Sequence, residues 1–120
     1  MAQSKHLECN LDLEDATITM DKRKLTRVID NLISNAIKYN KRNGLVGIKL
    51  REGKLVIWDT GIGISEENIP FMFDRYMRFN KSEGGFGVGL SIVKKILDEY
   101  KIAVEVESKE GEGTRMVLTW

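Results

Sequence analysis

The feature that most constrains the fold of this 120-residue sequence is a long amphipathic segment in its first third. Apolar residues recur there at helical spacing, namely Leu25, Val28, Ile29, Leu32, Ile33, Ala36 and Ile37. Asp21 precedes the segment and can accept hydrogen bonds from the free N–H groups of a first helical turn. The pattern predicts a helix that begins after Asp21, extends to Tyr39 and buries one side.

Segments with strand patterns surround this helix. Alternation of apolar and polar residues predicts strands at 7–13, 16–20, 46–50, 104–106 and 114–120. Four consecutive apolar residues, Leu55 to Trp58, predict a strand buried on both faces.

Two further helices complete the pattern. Ser65 is expected to begin a short helix that Pro70 limits, and apolar spacing predicts a second long helix over 88–100. Because the strands come in hairpins with helices between them, we expect one α/β domain over residues 1–120. Its predicted architecture is a two-layer sandwich, in which helices cover one face of a mixed, mostly antiparallel sheet.

Composition excludes several classes of protein. A hydrophobic fraction of 42% with 31% charged residues is typical of a globular domain, and a net charge of +1 gives no indication of nucleic acid or an anionic membrane as partner. The single cysteine, Cys9, allows no intrachain disulfide and suits a reducing compartment. With no apolar run near ~20 residues and no signal-peptide pattern, we expect a cytoplasmic domain without direct membrane contact.

Three polar residues share one face of the first long helix. Asn31, Asn35 and Lys38 stand at i, i+4 and i+7, on a face that we place opposite the apolar stripe. Asparagine is a weak helix former because its amide competes for backbone hydrogen bonds. One interpretation is an ordinary solvated face. The other is an anion site, in which an amide oxygen ligates Mg²⁺ and the lysine meets phosphate oxygens.

A second candidate follows the buried strand, where the sequence reads Asp59-Thr60-Gly61-Ile62-Gly63. A carboxylate at a strand end can accept a hydrogen bond from the exocyclic amine of adenine, whereas guanine offers a carbonyl there and is repelled. The alternatives are a plain turn and the Asp-Thr-Gly tripeptide of aspartic proteases, in which two aspartates share a proton. Ile62, in place of a small residue, and two long helices disfavour the protease.

A third candidate is the glycine cluster at 85, 87 and 89, which opens the second long helix. Helix N-termini bind phosphates through free N–H groups, and glycines let the backbone come close. The spacing differs from that of a dinucleotide fold, which places glycine where Leu90 stands. It also differs from a P-loop, which places lysine there. The cluster therefore indicates a phosphate site of another kind.

In order and spacing, these motifs resemble the catalytic domain of bacterial sensor histidine kinases, in the GHKL ATPase superfamily. The matching segments are residues 30–39 for the N box, 59–64 for the first glycine box, 71–79 for the F box, 85–90 for the second glycine box and 111–114 for the last glycine turn. The match extends from about residue 15 to residue 120. It implies the Bergerat-type ATP-binding fold.

The resemblance implies a role for each candidate residue. Asn35 would hold Mg²⁺, while the phosphates would be contacted by Asn31 and Lys38 and the γ-phosphate by Arg78 during transfer. Asp59 would take the adenine amine, with Gly63 and Thr114 supporting the base. Tyr39 would line the nucleotide pocket, and Gly61 and Ile64 would also contact the nucleotide. The second glycine box would admit the phosphates beside a mobile lid at 77–86, through Gly85, Phe86, Gly87, Val88, Gly89 and Leu90. Phe86 departs from the small polar residue common at its position, and this lid is short.

The function that the resemblance implies is transfer of the γ-phosphoryl group of Mg-ATP to a histidine on a separate helical dimerisation domain. A response regulator receiver domain would then take the phosphoryl group, and the parent protein would be anchored in the bacterial inner membrane. His6, the only histidine, is followed by Leu7 rather than by the acidic residue of the family's acceptor motif. The rival hypotheses are an ATP-hydrolysing relative of gyrase, a serine kinase of the anti-sigma type and a nucleotide-binding module without activity.

Overall fold

The computed structural model describes residues 7–41, 43–73 and 89–120, which form one sheet of five strands and two α-helices. The elements in chain order are β1 (Glu8–Leu13), α1 (Lys22–Lys38), β2 (Leu45–Arg51), β3 (Lys54–Asp59), a 3-10 turn (Ile69–Phe71), α2 (Gly89–Glu99), β4 (Ala103–Lys109) and β5 (Gly113–Thr119).

The sheet is mixed and mostly antiparallel, as the sequence predicts. Its strand order is β1-β2-β3-β5-β4, and only the β1–β2 pair is parallel. A parallel pair needs a crossover connection, which α1 provides between β1 and β2. The antiparallel order brings β5 between β3 and β4, so the end of β3 lies beside the start of β5.

The core lies between the two helices and one face of the sheet. Both helices and the central strands contribute buried members to it: Val28, Leu32, Ala36, Ile57, Leu90, Val93, Leu97, Met116 and Leu118. In β3, both Val56 and Ile57 are buried although they point to opposite faces, which confirms the prediction of a strand buried on both sides. Because both helices pack on one face of the sheet, the predicted two-layer α/β sandwich is confirmed.

The first helix begins as the sequence predicts. Asp21 is its N-cap residue, and its Oδ1 accepts hydrogen bonds from the backbone N–H of Arg23 at 2.8 Å and of Lys24 at 3.4 Å. These bonds hold the pKa of the Asp21 carboxyl below its usual value. The helix ends at Lys38, one residue before the predicted end.

The predicted strand at 16–20 is wrong. Ala16, Ile18 and Met20 do alternate with exposed neighbours, but the segment pairs with no strand of the described sheet. Side chains hold it instead: Thr17 donates its N–H to Glu52 Oε2 at 2.7 Å, and its carbonyl accepts from Trp120 Nε1 at 2.8 Å. Alternating burial thus arises here without a strand ladder.

The predicted short helix limited by Pro70 also needs correction. A turn at 66–68, with the Asn68 N–H bonded to the Ser65 carbonyl, leads into the 3-10 turn, and Pro70 lies inside that turn. Proline is tolerated there because the first N–H groups of a helical turn have no intrahelical partner.

Candidate functional site

The register of the sheet places three polar residues side by side at the end that carries the glycine turns. Asp59 on β3 lies opposite Thr114 on β5, and Thr114 lies opposite Ser108 on β4. A narrow cleft of about 30 Å³ opens beside this row, beneath α1. Its lining combines apolar and polar residues: Leu32, Asn35, Ala36, Tyr39, Ile57, Asp59, Ile62, Gly63, Ile64, Thr114 and Met116.

The carboxyl of Asp59 is half-buried in this cleft. One oxygen, Oδ1, accepts a hydrogen bond from the Gly61 N–H at 2.8 Å, and the backbone N–H of Thr114 also donates to the side chain. Burial nevertheless dominates and raises the pKa of Asp59 to about 6. The group is therefore ionised at neutral pH but can be protonated by mild acid, which makes it a charged acceptor within a mostly apolar cleft.

The glycine turn after β3 is packed closely against the β4–β5 turn. Gly63 has φ +70°, and a Cβ there would lie 2.1 Å from the Lys109 carbonyl oxygen. The turn is fastened to the β4–β5 turn by the Gly111 N–H, which donates to the Ile62 carbonyl at 2.7 Å. A side chain at 63 would both strain the backbone and push these turns apart.

Asn35 is the residue of the α1 polar face that lines the cleft, next to Leu32 and Ala36. The prediction that this face lies opposite the apolar stripe is wrong, because the half-buried Asn31 and Asn35 flank the buried residues Leu32 and Ala36. The face borders the core and continues along one side of the cleft.

The other two residues of this face lie beside the cleft rather than in its lining. Asn31 Nδ2 donates to the Arg27 carbonyl at 2.7 Å, which ties part of its amide to the backbone of the preceding turn. Lys38 is exposed, with Nζ 5.4 Å from the centre of the Tyr39 ring.

A buried asparagine anchors the chain after α1. Asn40 is only 5% exposed. Its Nδ2 donates to the Leu45 carbonyl at 3.0 Å, and its Oδ1 accepts from the Lys41 N–H at 2.9 Å and from Thr60 Oγ1 at 3.2 Å. These bonds join the end of α1 to the strands on either side, and Tyr39 is thereby fixed against the glycine turn, where its carbonyl accepts from the Ile62 N–H at 3.0 Å.

Several predicted site residues lie outside the described ranges. They are Arg78, Gly85, Phe86, Gly87 and Val88, together with the lid at 77–86 and His6. Of the second glycine box, Gly89 begins α2 and the side chain of Leu90 is fully buried in the core. Leu90 can therefore meet a ligand only through its backbone.

Sequence reasoning missed residues that complete the site. Ile62, Ile57 and Met116 line the cleft, and Ser108 and Asn40 hold its walls by hydrogen bonds. The signal for Ser108 was available, because a hairpin register centred on the turn at 109–113 pairs residue 108 with residue 114. Asn40 gave no comparable signal, since its partners are set by tertiary contacts.

Among the described residues, no group of His, Cys, Asp or Glu side chains could hold a metal ion by itself, and no helix is long and apolar enough to cross a membrane.

Comparison with known proteins gives consistent matches. A family model described as "Histidine kinase-, DNA gyrase B-, and HSP90-like ATPase" matches residues 20–120. Sensor histidine kinase YkoH of Bacillus subtilis (strain 168) is 38% identical over 113 residues, which are 89% of this chain and 25% of the relative. Sensor histidine kinase WalK of the same strain is 34% identical over 131 residues, 99% of this chain and 21% of the relative.

A solved structure matches as well. The mycobacterial sensor histidine kinase MprB superposes with a TM-score of 0.82 at 27% identity, covering 98% of this chain and 85% of that chain. The chain therefore matches nearly all of one solved fold, while it spans a quarter or less of the two curated relatives.

Proposed function

We propose that this chain, which belongs to the histidine kinase-, DNA gyrase B- and HSP90-like ATPase family, binds Mg-ATP as the catalytic domain of a two-component sensor kinase. It would transfer the γ-phosphoryl group to a histidine on a separate helical dimerisation domain, for relay to an aspartate of a response regulator. The observation that carries the proposal is the half-buried carboxylate of Asp59 in an apolar cleft.

The cleft has the chemistry of an adenine site. Asp59 supplies an acceptor for the exocyclic amine, and Ile57, Ile64 and Met116 supply apolar surface for the ring. The free volume of about 30 Å³ is roughly that of one water molecule in the liquid, so the base has to widen the cleft as it enters. We assign Tyr39, Gly63 and Thr114 to the walls that the base would meet.

The polar face of α1 suits the phosphates. Asn35, which borders the cleft, would supply an amide oxygen to Mg²⁺, and Lys38 would supply positive charge to the phosphate oxygens. Magnesium is commonly bound through one or two protein oxygens together with substrate phosphates and waters, so a site without an acidic cluster fits it. The ion would neutralise charge that develops on the transferred group.

The same helix face favours a kinase over a hydrolase. Hydrolysis needs a group that deprotonates or orients the attacking water. The residue one helical turn before Asn35 is Asn31, whose amide cannot accept a proton. Asp30 points about 100° away from Asn31 on the helix and is exposed. The described part of α1 thus positions phosphates but offers no base, and the acceptor's own domain would have to supply one.

Calorimetry with ATP, ADP and GTP tests the binding step. We expect ATP and ADP to bind and GTP to bind at least tenfold more weakly. The Asp59→Asn variant should lose roughly ten- to a hundredfold in ATP affinity, since a hydrogen bond to a charged group is worth about 1.5–3 kcal/mol. Asp30→Asn, which changes an exposed carboxylate in the same way, is the matched control. Equal affinity for ATP and GTP would rule out the adenine assignment.

Phosphate release tests the transfer step. We expect the isolated chain to hydrolyse ATP far more slowly than about 1 s⁻¹, the low end of ordinary enzyme turnover. With radiolabelled ATP, acid-labile label should appear on an added dimerisation domain of the parent and not on the chain alone. Sustained hydrolysis near that rate would support an ATPase, and binding without either reaction would support a nucleotide-binding module.

A further inference from the structure

Ser108 stands behind the proposed base site and makes three hydrogen-bond contacts through one hydroxyl. Its Oγ accepts from the Ile64 N–H at 2.7 Å, lies 3.0 Å from the Gly113 carbonyl oxygen and lies 2.8 Å from Thr114 Oγ1. Ser108 does not itself line the cleft, whereas Ile64 and Thr114 do. We therefore expect its influence on a base in the cleft to pass through these neighbours.

The direction of the Ser108–Thr114 bond follows from counting protons. A serine hydroxyl has one proton to donate and two lone pairs to accept with. The Gly113 carbonyl can only accept, so the 3.0 Å contact is a hydrogen bond only if Ser108 donates its proton there. The 2.8 Å contact is then a hydrogen bond only if Thr114 is the donor. This is the one arrangement in which all three contacts are satisfied, and unsatisfied buried polar groups are costly.

This arrangement leaves the Thr114 hydroxyl without a proton for the cleft. Thr114 presents lone pairs only, as does the ionised carboxylate of Asp59 directly opposite on β3. Residues directly opposite on antiparallel strands have Cβ atoms about 5 Å apart, so one exocyclic group of a base can reach both. Two acceptors on neighbouring strands favour a ligand group that brings two protons.

The purines differ at that point. The 6-amino group of adenine carries two protons, one for each acceptor. The 6-oxo group of hypoxanthine or guanine carries lone pairs, which both acceptors repel. If the Thr114 hydroxyl did not donate its proton to Ser108, it could donate it to a 6-oxo group, and the discrimination between 6-amino and 6-oxo purines would be weaker.

We infer that Ser108 is a positioning residue for base specificity: by taking the proton of Thr114, it keeps that hydroxyl an acceptor and so favours 6-aminopurine over 6-oxopurine nucleotides. The inference rests on the proposed adenine site and adds a residue that does not touch the ligand.

The test compares ATP with inosine triphosphate, which differs from ATP in having a 6-oxo group and a protonated N1. Dissociation constants are measured by calorimetry for wild type, Ser108→Ala, Thr114→Val and the double variant. In Ser108→Ala the proton of Thr114 is released, and we expect the preference for ATP to fall roughly five- to tenfold, about the worth of one hydrogen bond. In the Thr114→Val background, Ser108→Ala should leave the preference unchanged.

Ser108→Thr keeps the hydroxyl and is expected to retain the wild-type preference. If Ser108→Ala weakens both nucleotides equally, Ser108 only supports the fold and the inference is wrong. If Ser108→Ala does not fold, the Thr114→Val variant is sufficient as a test. An unchanged preference for ATP in Thr114→Val would show that the Thr114 hydroxyl is not an acceptor for the base, and the inference would be wrong. If the wild-type chain does not bind ATP, the proposed function itself is wrong. That outcome differs from one in which the chain binds ATP but its preference for ATP over inosine triphosphate does not change in the variants.

Discussion

At the scale of single residues, Asp59 combines its proposed binding role with a cost in stability. Its carboxyl receives two backbone hydrogen bonds, yet burial still raises its pKa to about 6. The carboxyl that the proposed adenine site needs in its charged form thus lies where burial makes that charge unfavourable. Perturbed carboxyls of this kind cluster at functional sites.

The first prediction concerns the pH dependence of base binding. Adenosine is the suitable ligand, because phosphate groups titrate in the same pH range as Asp59. Protonation replaces the charged acceptor with a neutral carboxyl that carries a proton of its own, so affinity should be roughly constant above pH 7 and about tenfold weaker at pH 5, one unit below the pKa of about 6. Asp59→Asn should bind weakly with a flat profile. A flat profile in wild type would contradict the role of the carboxylate.

Residue chemistry made part of this site predictable. Asp59 was identifiable because an apolar strand ends at it and a glycine turn follows, and Asn35 because a weak helix former stands in a strong helix. The placement of Asn31 beside the cleft rather than in its lining could not be predicted. Its bond to the Arg27 carbonyl depends on a side-chain rotamer that helical spacing does not specify.

At the scale of elements, hydrogen bonds between loops set the geometry of the cleft. Asn40 connects the end of α1 to β2 and to the turn after β3, as described above. Ser108 connects β4 to the same turn from the other side. The cleft is therefore bounded by two polar anchors, of which only Ser108 could be inferred from the sequence, through the register of the β4–β5 hairpin.

The second prediction is that Asn40→Ala lowers the free energy of unfolding by about 2–3 kcal/mol. It removes the bond from Asn40 Nδ2 to the Leu45 carbonyl, which keeps only its bond from the Thr60 N–H, and it leaves the proton of the half-buried Thr60 hydroxyl without an acceptor. Asn10→Ala makes the same change at an exposed position of β1 and should alter stability by less than about 0.5 kcal/mol. Urea unfolding measures both, and similar values for the two variants would contradict the anchor role.

The third prediction compares two glycines with similar backbone strain. Gly63 and Gly111 have φ of +70° and +85°, but a Cβ at 63 would meet the Lys109 carbonyl oxygen at 2.1 Å, whereas a Cβ at 111 meets nothing within 4 Å. Gly111→Ala should therefore cost about 1–2 kcal/mol from strain alone. Gly63→Ala should cost about 2 kcal/mol more, since the backbone must move. If thermal unfolding gives the same loss of stability for both variants, the turn that contains Gly63 is not in close contact with the β4–β5 turn.

The element that sequence reasoning placed wrongly shows what periodicity can and cannot predict. Alternating burial at Ala16, Ile18 and Met20 reflects one side facing the core, which is the signal that predicts a strand. A strand also needs a neighbouring edge with free backbone groups. Here β1 already occupies the outer edge of β2, so the segment is held by Glu52 and Trp120 instead.

At the scale of the whole molecule, the sandwich was predictable because each strongly patterned segment has one apolar side. The strand order was not predictable from pattern alone. The insertion of β5 between β3 and β4 decides that Thr114 lies beside Asp59, and it depends on the packing of both helices over the same face. The site is thus a consequence of topology as much as of motif.

The last prediction concerns the stability of the whole molecule as pH changes. The folded state keeps the proton of Asp59 up to about pH 6, whereas the unfolded chain loses it near the ordinary value of 3.8. Between these values the folded state binds more protons, so its stability falls as pH rises from 4 to 6, by at most about 3 kcal/mol. Asp12 and Asp21 have lowered pKa values, and they act in the opposite direction only below about pH 4.

Urea unfolding of the nucleotide-free chain at pH 4.5 and 7 should show this decline in stability. The Asp59→Asn variant should show no such decline, and at pH 7 it should be more stable than wild type by on the order of 1–2 kcal/mol. If the stability of wild type rises between pH 4.5 and 7, or if Asp59→Asn shows the same pH dependence as wild type, then burial of the Asp59 carboxyl does not destabilise the fold.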